Sequence, residues 1–242
     1  VRERRDQQRQ VRRVALVTGA NRGIGEALAR QLAAPEHDHV VVLGCRDLAG
    51  GEAVAHAIGR DAWAQALDVV DHRSIERAVA AVLDREGRID VLVNNAAGHY
   101  DLGVAAPDVT AADLRDALET NLIGPWELAR AVLPTMLAAG YGRIVNVSSR
   151  SGTFSATWSN APAYATSKAA LNMFTLHLAN TLTGTGVLVN AYCPGWVRTR
   201  MGGTEAPVSP EVAAITGVML ATLPVGSTTT GTMFAEGEPH AW

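Results

Sequence analysis

Tyr164 and Lys168 stand four residues apart at the head of a helical pattern. That spacing puts a phenol and an ammonium on one helix face, one above the other. Upstream, Arg143-Ile144-Val145-Asn146-Val147 reads as a buried strand, and it ends on Ser148-Ser149. A strand-end hydroxyl is thereby available to converge on the pair. Of the 21 Lys and Arg residues, Lys168 is the single lysine. Only lysine is a compact point charge on a flexible stem. A surface Tyr and Lys on an amphipathic helix would account for the spacing alone; the isolated lysine and the serines favour chemistry.

The chemistry follows from acidities. A phenol near its ordinary pKa of about 10 is a poor proton donor or acceptor at neutral pH. A cation about 4 Å away, at an effective dielectric of about 20, is worth up to roughly 4 kcal/mol. The phenol pKa is thus expected to fall by up to about 3 units, toward the range where acid-base catalysis is efficient. A serine hydroxyl can hydrogen-bond a substrate oxygen as charge develops there. Such a site protonates a carbonyl or deprotonates an alcohol, and a redox reaction there needs a separate hydride carrier.

The rest of the chain must position this trio. Val14 to Thr18 reads as a strand, followed by the glycine turn Gly19-Ala20-Asn21-Arg22-Gly23-Ile24-Gly25 and a helix through Leu28 and Leu32. A strand, a glycine turn and a helix N-terminus make an anion site. His39 to Gly44 is a second strand, ending in Cys45-Arg46-Asp47. An acidic residue there would grip a ribose 2′-hydroxyl, whereas arginine suits a 2′-phosphate. Arg46 with Arg22 favours NADP(H); Asp47 keeps NAD(H) open. A third strand, Ala64 to Leu67, ends on Asp68-Val69. Asp68 is placed either to meet an adenine ring or to cap the next helix, which runs through Ile75, Val79 and Val82.

Ile89 to Val93 is a fourth strand, closing on Asn94-Asn95 at a switch crevice. A long helix then runs from about Thr110 to Ala139. Inside it Pro125 has no N–H to offer the Asn121 carbonyl, so a kink or a water site is expected there. A helix over 161–182, a strand Val187 to Ala191 ending in Pro194-Gly195-Trp196-Val197-Arg198-Thr199, a helix around 211–223 and a strand near 232–234 complete the alternation. That alternation predicts a single α/β domain with a doubly wound parallel sheet.

The chain has 242 residues, 48% of them hydrophobic, a net charge of −3 and a pI of about 6.2. Nothing general in that balance points to nucleic acid. The first 13 residues hold six arginines against Glu3 and Asp6; residues 1–12 are expected to be a basic, solvated tail rather than an arm for an acidic partner. Only Val14-Ala15-Leu16-Val17 follows where a secretory signal would need a longer apolar stretch, and no run approaches membrane length. Cys45 and Cys193 suit a reducing compartment, so the expectation is a cytoplasmic protein without membrane attachment.

Taken together, the motifs Thr18-Gly19…Gly23-Ile24-Gly25, Asp68, Asn94-Asn95-Ala96, Asn121, Ser149, Tyr164-x-x-x-Lys168 and Pro194-Gly195 resemble the short-chain dehydrogenase/reductase family, most closely carbonyl-reductase-like members. The resemblance covers nearly all of the chain from Val14 and implies a Rossmann-type fold. It implies Tyr164 as general acid/base, Lys168 lowering its pKa and holding the nicotinamide ribose, Ser149 holding the substrate oxygen, and Asn121 positioning a relay water. Cofactor contacts are implied at Gly19, Asn21, Arg22, Gly23, Ile24, Gly25, Arg46, Asp47, Asp68, Val69, Asn95, Tyr164, Lys168, Pro194, Gly195, Val197 and Thr199. No metal is called for. The sequence departs from the family in writing Asn-Asn-Ala-Ala-Gly and in the spacing of 15 from Ser149 to Tyr164. Substrate contacts are expected from His99, Tyr100, Phe154, Trp158, Trp196 and Met201, with strand ends and the 196–210 loop forming the pocket. Their aromatic character suggests a hydrophobic carbonyl or alcohol. The large insertion of monomeric carbonyl reductases is absent, which implies a homodimer or homotetramer packed through the two long helices.

Overall fold

The apolar runs become inner strands of one sheet because they are buried on both faces. The computed structural model describes residues 12–155 and 160–242; the expectations for residues 1–11 and for Trp158 lie outside them. Strands β1 (Val14–Thr18), β2 (Val40–Cys45), β3 (Trp63–Ala66), β4 (Val91–Asn94), β5 (Gly142–Val147), β6 (Val187–Cys193) and β7 (Met233–Ala235) run parallel. Their spatial order is β3-β2-β1-β4-β5-β6-β7, and β8 (Glu238–His240) closes the edge antiparallel to β7. The order reverses between β1 and β4, the crevice where ligands bind in open α/β sheets.

The helices are α1 (Gly23–Ala33), α2 (Leu48–Ile58), α3 (His72–Glu86), α4 (Ala111–Leu118), α5 (Gly124–Ala139), α6 (Pro162–Thr181) and α7 (Pro210–Ala221). They cover both faces, and alternate strand residues feed two cores. Leu16 and Leu92 pack with Ile75, Val82, Leu128 and Leu171 on one side. Val17 and Val93 pack with Leu28, Leu32 and Val218 on the other. Each such leucine contributes about 1.5–3 kcal/mol through burial.

The expected break at Pro125 takes a different form. Thr110 caps α4 through a reciprocal capping box with Asp113. The chain then widens into a π-helical turn, Glu119–Ile123, in which the Gly124 amide donates to the Glu119 carbonyl. The ladder widens just before the proline, and α5 continues from there. Gly124 is required for this path, since a Cβ on it would lie 2.6 Å from the Val69 carbonyl oxygen.

At the opposite end of the sheet Arg143 is 2% exposed. Its guanidinium donates to the carbonyls of Gly142 (2.7 Å), Leu223 (2.9 Å), Pro224 (2.9 Å) and Gly186 (3.0 Å). Arg12 is also anchored, through Asp61 at 2.8 Å and the Asp38, His39 and Arg60 carbonyls.

Candidate active site

The glycine turn is sealed against the neighbouring strand end. The Asn95 side-chain amide donates to the Thr18 carbonyl at 2.8 Å and to that of Gly19 at 3.3 Å. Thr18 Oγ1 accepts from the amides of Asn95 and Ala96, both at 2.9 Å. Asn95 thus stitches β1 to β4 across the switch crevice. A Cβ on Gly25 would lie 2.4 Å from the Gly19 carbonyl oxygen, so only glycine lets α1 start so close to β1. Arg22 precedes α1 without a side-chain cap, which leaves the amide-rich N-terminus at Gly23, Ile24 and Gly25 to an anion. Asn21 lies in the same turn. From the far side, the Thr199 methyl lies 3.3 Å from where a Gly23 Cβ would be, so the Pro194–Thr199 segment reaches over the turn. Val197 ties that segment down by bridging to Val208. This cradle fits the pyrophosphate of a dinucleotide.

The residues around the ribose position separate by what they already bind. Asp47 accepts the Gly50 amide at 3.1 Å as the cap of α2. Arg22 and Arg46 are exposed, and among the described residues neither guanidinium is ion-paired. Asp68 does not cap α3; Asp71 does, accepting the Arg73 amide at 2.9 Å. The Asp68 backbone is tied by Ser74 at 3.0 Å, and Val69 beside it packs under Gly124.

At the carboxyl end of β5 the two serines part company. Ser148 is 2% exposed and turns inward, donating to Asn172 Oδ1 at 2.5 Å. Asn172 in turn donates to the Gly152 carbonyl at 3.1 Å. Ser149 accepts the Ser151 amide at 3.1 Å, donates to Ser151 Oγ at 3.2 Å, and lies near the Tyr164 phenol. Ser148 is thus committed to Asn172, while Ser149 bonds within its own turn.

Lys168 is 2% exposed; its Nζ donates to the Val147 carbonyl at 2.9 Å and lies 5.6 Å from the centre of the Tyr164 ring. Burial drives the two acidities opposite to the simple expectation. The Tyr164 phenol is pushed up, chiefly by loss of water, with Ser149 acting the other way. The Lys168 ammonium is lowered to about 8 by the same desolvation. The expected fall in the phenol pKa does not occur in this arrangement, because desolvation is the largest influence on it.

Asn121 is fully buried in the π turn. Its amide nitrogen donates to the Gly98 carbonyl (3.1 Å) and Ser167 Oγ (3.0 Å), while its oxygen accepts the Gly98 amide (3.2 Å). Ser167 passes the connection on, donating to the Tyr164 carbonyl at 2.7 Å. Ser167 is a residue the sequence reading missed; its place immediately before Lys168, on the inner helix face, was the available signal.

Around the mouth, Tyr100 meets Tyr164 edge-on with ring centres 5.0 Å apart. His99 adopts a left-handed backbone conformation and lies 3.5 Å from Asp113. Trp196 is pinned by its indole N–H to the Gly202 carbonyl at 2.8 Å. Arg198 binds the Ala206 and Pro207 carbonyls, so the 196–210 loop is internally braced. Met201 is exposed on that loop. Phe154 is 92% exposed. Among the described residues no cluster of His, Cys, Asp or Glu is arranged to hold a metal, and no helix is long and apolar enough to cross a membrane.

The fold and this constellation define a dinucleotide-dependent oxidoreductase, and the short chain dehydrogenase family matches residues 13–208; the chain belongs to that family. A Streptomyces virginiae protein described as a ketoacyl reductase of the monensin polyketide synthase is 46% identical over 194 residues, 78% of this chain and 72% of that one. The NADPH-bound carbonyl reductase from chicken fatty liver superposes with a TM-score of 0.86 at 30% identity, covering 96% of this chain and 99% of the other. The NADH complex of the 3-ketoacyl-(acyl-carrier-protein) reductase from Brucella melitensis superposes at 0.84 and 28% identity, covering 92% and 96%.

Proposed function

We propose that the protein reduces a ketone or aldehyde to an alcohol, reversibly, with NADP(H) as the preferred cofactor. The observation that carries the reading is the convergence of the half-buried Tyr164 side chain, the nearby Ser149 hydroxyl and the buried Lys168 ammonium, which lies 5.6 Å from the Tyr164 ring centre. In this reading Ser149 donates a hydrogen bond to the substrate oxygen and Tyr164 delivers the proton that oxygen needs as its bond to carbon becomes single. Lys168, close to half-protonated at about pH 8, favours the phenolate left behind. Asn121, through Ser167, holds the turn of α6 that carries both. A bound nicotinamide supplies the hydride, and the glycine turn with Asn21, Asn95, Val197 and Thr199 would hold it.

Arg22 and Arg46 support a preference for a 2′-phosphate, since neither is ion-paired among the described residues while Asp47 is engaged as a cap. NAD-dependent alcohol oxidation is the second reading, favoured by the likeness to an NADH complex. The substrate is a hydrophobic carbonyl or alcohol, met by Tyr100, Trp196 and Met201. A homodimer or homotetramer through α5 and α6 is part of the proposal, because Ile123, Trp126, Leu137 and Met173 are exposed there. So is a cytoplasmic setting, which the two buried free thiols suit. Titration with NADPH and NADH by nicotinamide fluorescence, followed by NADPH consumption over a carbonyl panel, tests the reading. Tighter NADPH binding with turnover is expected; binding of neither cofactor overturns it.

A further inference from the structure

Helix α6 carries Tyr164 and Lys168, yet nothing in its own sequence caps it. Ala161 precedes it without a side-chain cap, Pro162 has no N–H to give, and the first turn holds no acidic residue. The amides at the start are nevertheless satisfied. Asp101 Oδ2 accepts from Ala163 at 2.8 Å and Oδ1 accepts from Tyr164 at 3.0 Å. The cap therefore comes from the loop after β4, 63 residues before Tyr164 (164 − 101).

The same loop touches the site at three further points. Gly98 brackets both ends of the Asn121 amide. Tyr100 sets its ring edge against the Tyr164 ring. The Gly103 amide donates to the Asn160 carbonyl at 2.7 Å, just before α6 begins. A carboxylate using both oxygens on two successive amides fixes a helix end in direction as well as position. One of those amides belongs to the residue that bears the phenol.

From this we infer that Asp101 is a positioning residue: it latches the 98–103 loop to the first turn of α6 and sets where the Tyr164 hydroxyl lies relative to Ser149 and Lys168. Asp101 touches neither the reacting atoms nor the proposed cofactor cradle. Its effect on turnover rests on the proposed carbonyl reduction; its effect on the helix end does not.

The test compares wild type, Asp101→Ala, Asp101→Asn and Asp71→Ala, the last removing the cap of α3 as a control for general helix destabilisation. Amide hydrogen exchange of the unliganded protein is read over residues 161–166, NADPH affinity by fluorescence, and kcat and KM with a turned-over carbonyl. For Asp101→Ala, exchange at Ala163 and Tyr164 is expected to rise at least tenfold. Its kcat is expected to fall at least tenfold with NADPH affinity unchanged. Asp101→Asn, which keeps one acceptor oxygen, is expected to lie between. Asp71→Ala is expected to lower the unfolding midpoint without this exchange signature or the loss of kcat. Unchanged exchange at Ala163 and Tyr164 overturns the latch, and so does raised exchange with an undiminished kcat. An equal fall in kcat for Asp71→Ala also overturns it. A wild type that reduces no carbonyl sinks the proposed function instead, while raised exchange at Tyr164 in Asp101→Ala still upholds the latch.

Discussion

Lys168 holds its ammonium over the Tyr164 ring, 5.6 Å from the ring centre, while donating to the Val147 carbonyl at 2.9 Å. The cation is thus spent on a backbone oxygen and a π face, and burial lowers it from 10.5 to about 8. A shift of that size corresponds to about 3 kcal/mol of cost at neutral pH. Replacing Lys168 by Met is expected to raise stability at pH 7 by about 1–3 kcal/mol, the lost hydrogen bond offsetting part of the gain. The sign is set by the depressed pKa: above 10.5 the lysine is neutral in both states and costs nothing. The cost builds as pH falls from 10.5 to about 8 and is complete below. Urea unfolding at pH 7 and pH 10 checks this; a gain that fails to shrink at pH 10 contradicts it.

Tyr164→Phe removes the proposed proton donor and leaves the glycine-turn cradle intact. Turnover is expected to fall by about 10²–10⁴-fold, the usual worth of a positioned acid or base. NADPH binding by fluorescence should be unchanged. Full turnover in this variant would rule Tyr164 out as the donor.

Arg46→Ala tests the 2′-phosphate reading. A charge-assisted hydrogen bond is worth about 1.5–3 kcal/mol, so NADPH affinity should weaken by about ten- to a hundredfold. NADH affinity should stay as it is. Equal losses for both cofactors would mean that Arg46 shapes the turn and reads no phosphate.

His39 gives the fold an acid sensitivity remote from the site. The residue is 4% exposed, and among the described residues neither ring nitrogen has a partner of good geometry. Burial lowers its pKa, with Arg13 and His37 adding and the His37 carbonyl opposing. With the folded pKa below the ordinary 6.5, the unfolded chain takes up the proton first. Stability is therefore lost as pH falls through 6.5. His39→Leu should flatten the decline between pH 7 and pH 5 without altering turnover at pH 7.

The inner strands were legible because sheet burial on both faces leaves unbroken apolar runs; β1 falls on the expected residues. Helix α2 went unread because Leu48–Ile58 is mostly alanine and glycine and buries only Gly51 and Ala55, too little for a period to show. Strand β8 went unread because Glu238-Pro239-His240 is a polar edge. In the site, the Tyr164–Lys168 spacing and the glycine turn are local patterns and could be read directly. Asp101 could not, since its partners lie across a fold that no spacing encodes. The upward push on the phenol's pKa was unread for a related reason: the distance to the cation can be guessed from spacing, but the water lost around the phenol cannot.

Arg143 gives strand β5 two ends with different obligations. Its guanidinium gathers four carbonyls from three separate stretches of chain, about 20 Å along the strand from Ser149 at the usual rise per residue. One fastening of the fold thus lies at the rim of the sheet away from the proposed substrate site. Loop segments on the substrate rim that carry none of the fastenings described above can be varied while that rivet stays closed. A library confined to residues 200–205 would explore new substrates on a scaffold whose Arg143 fastening it never touches.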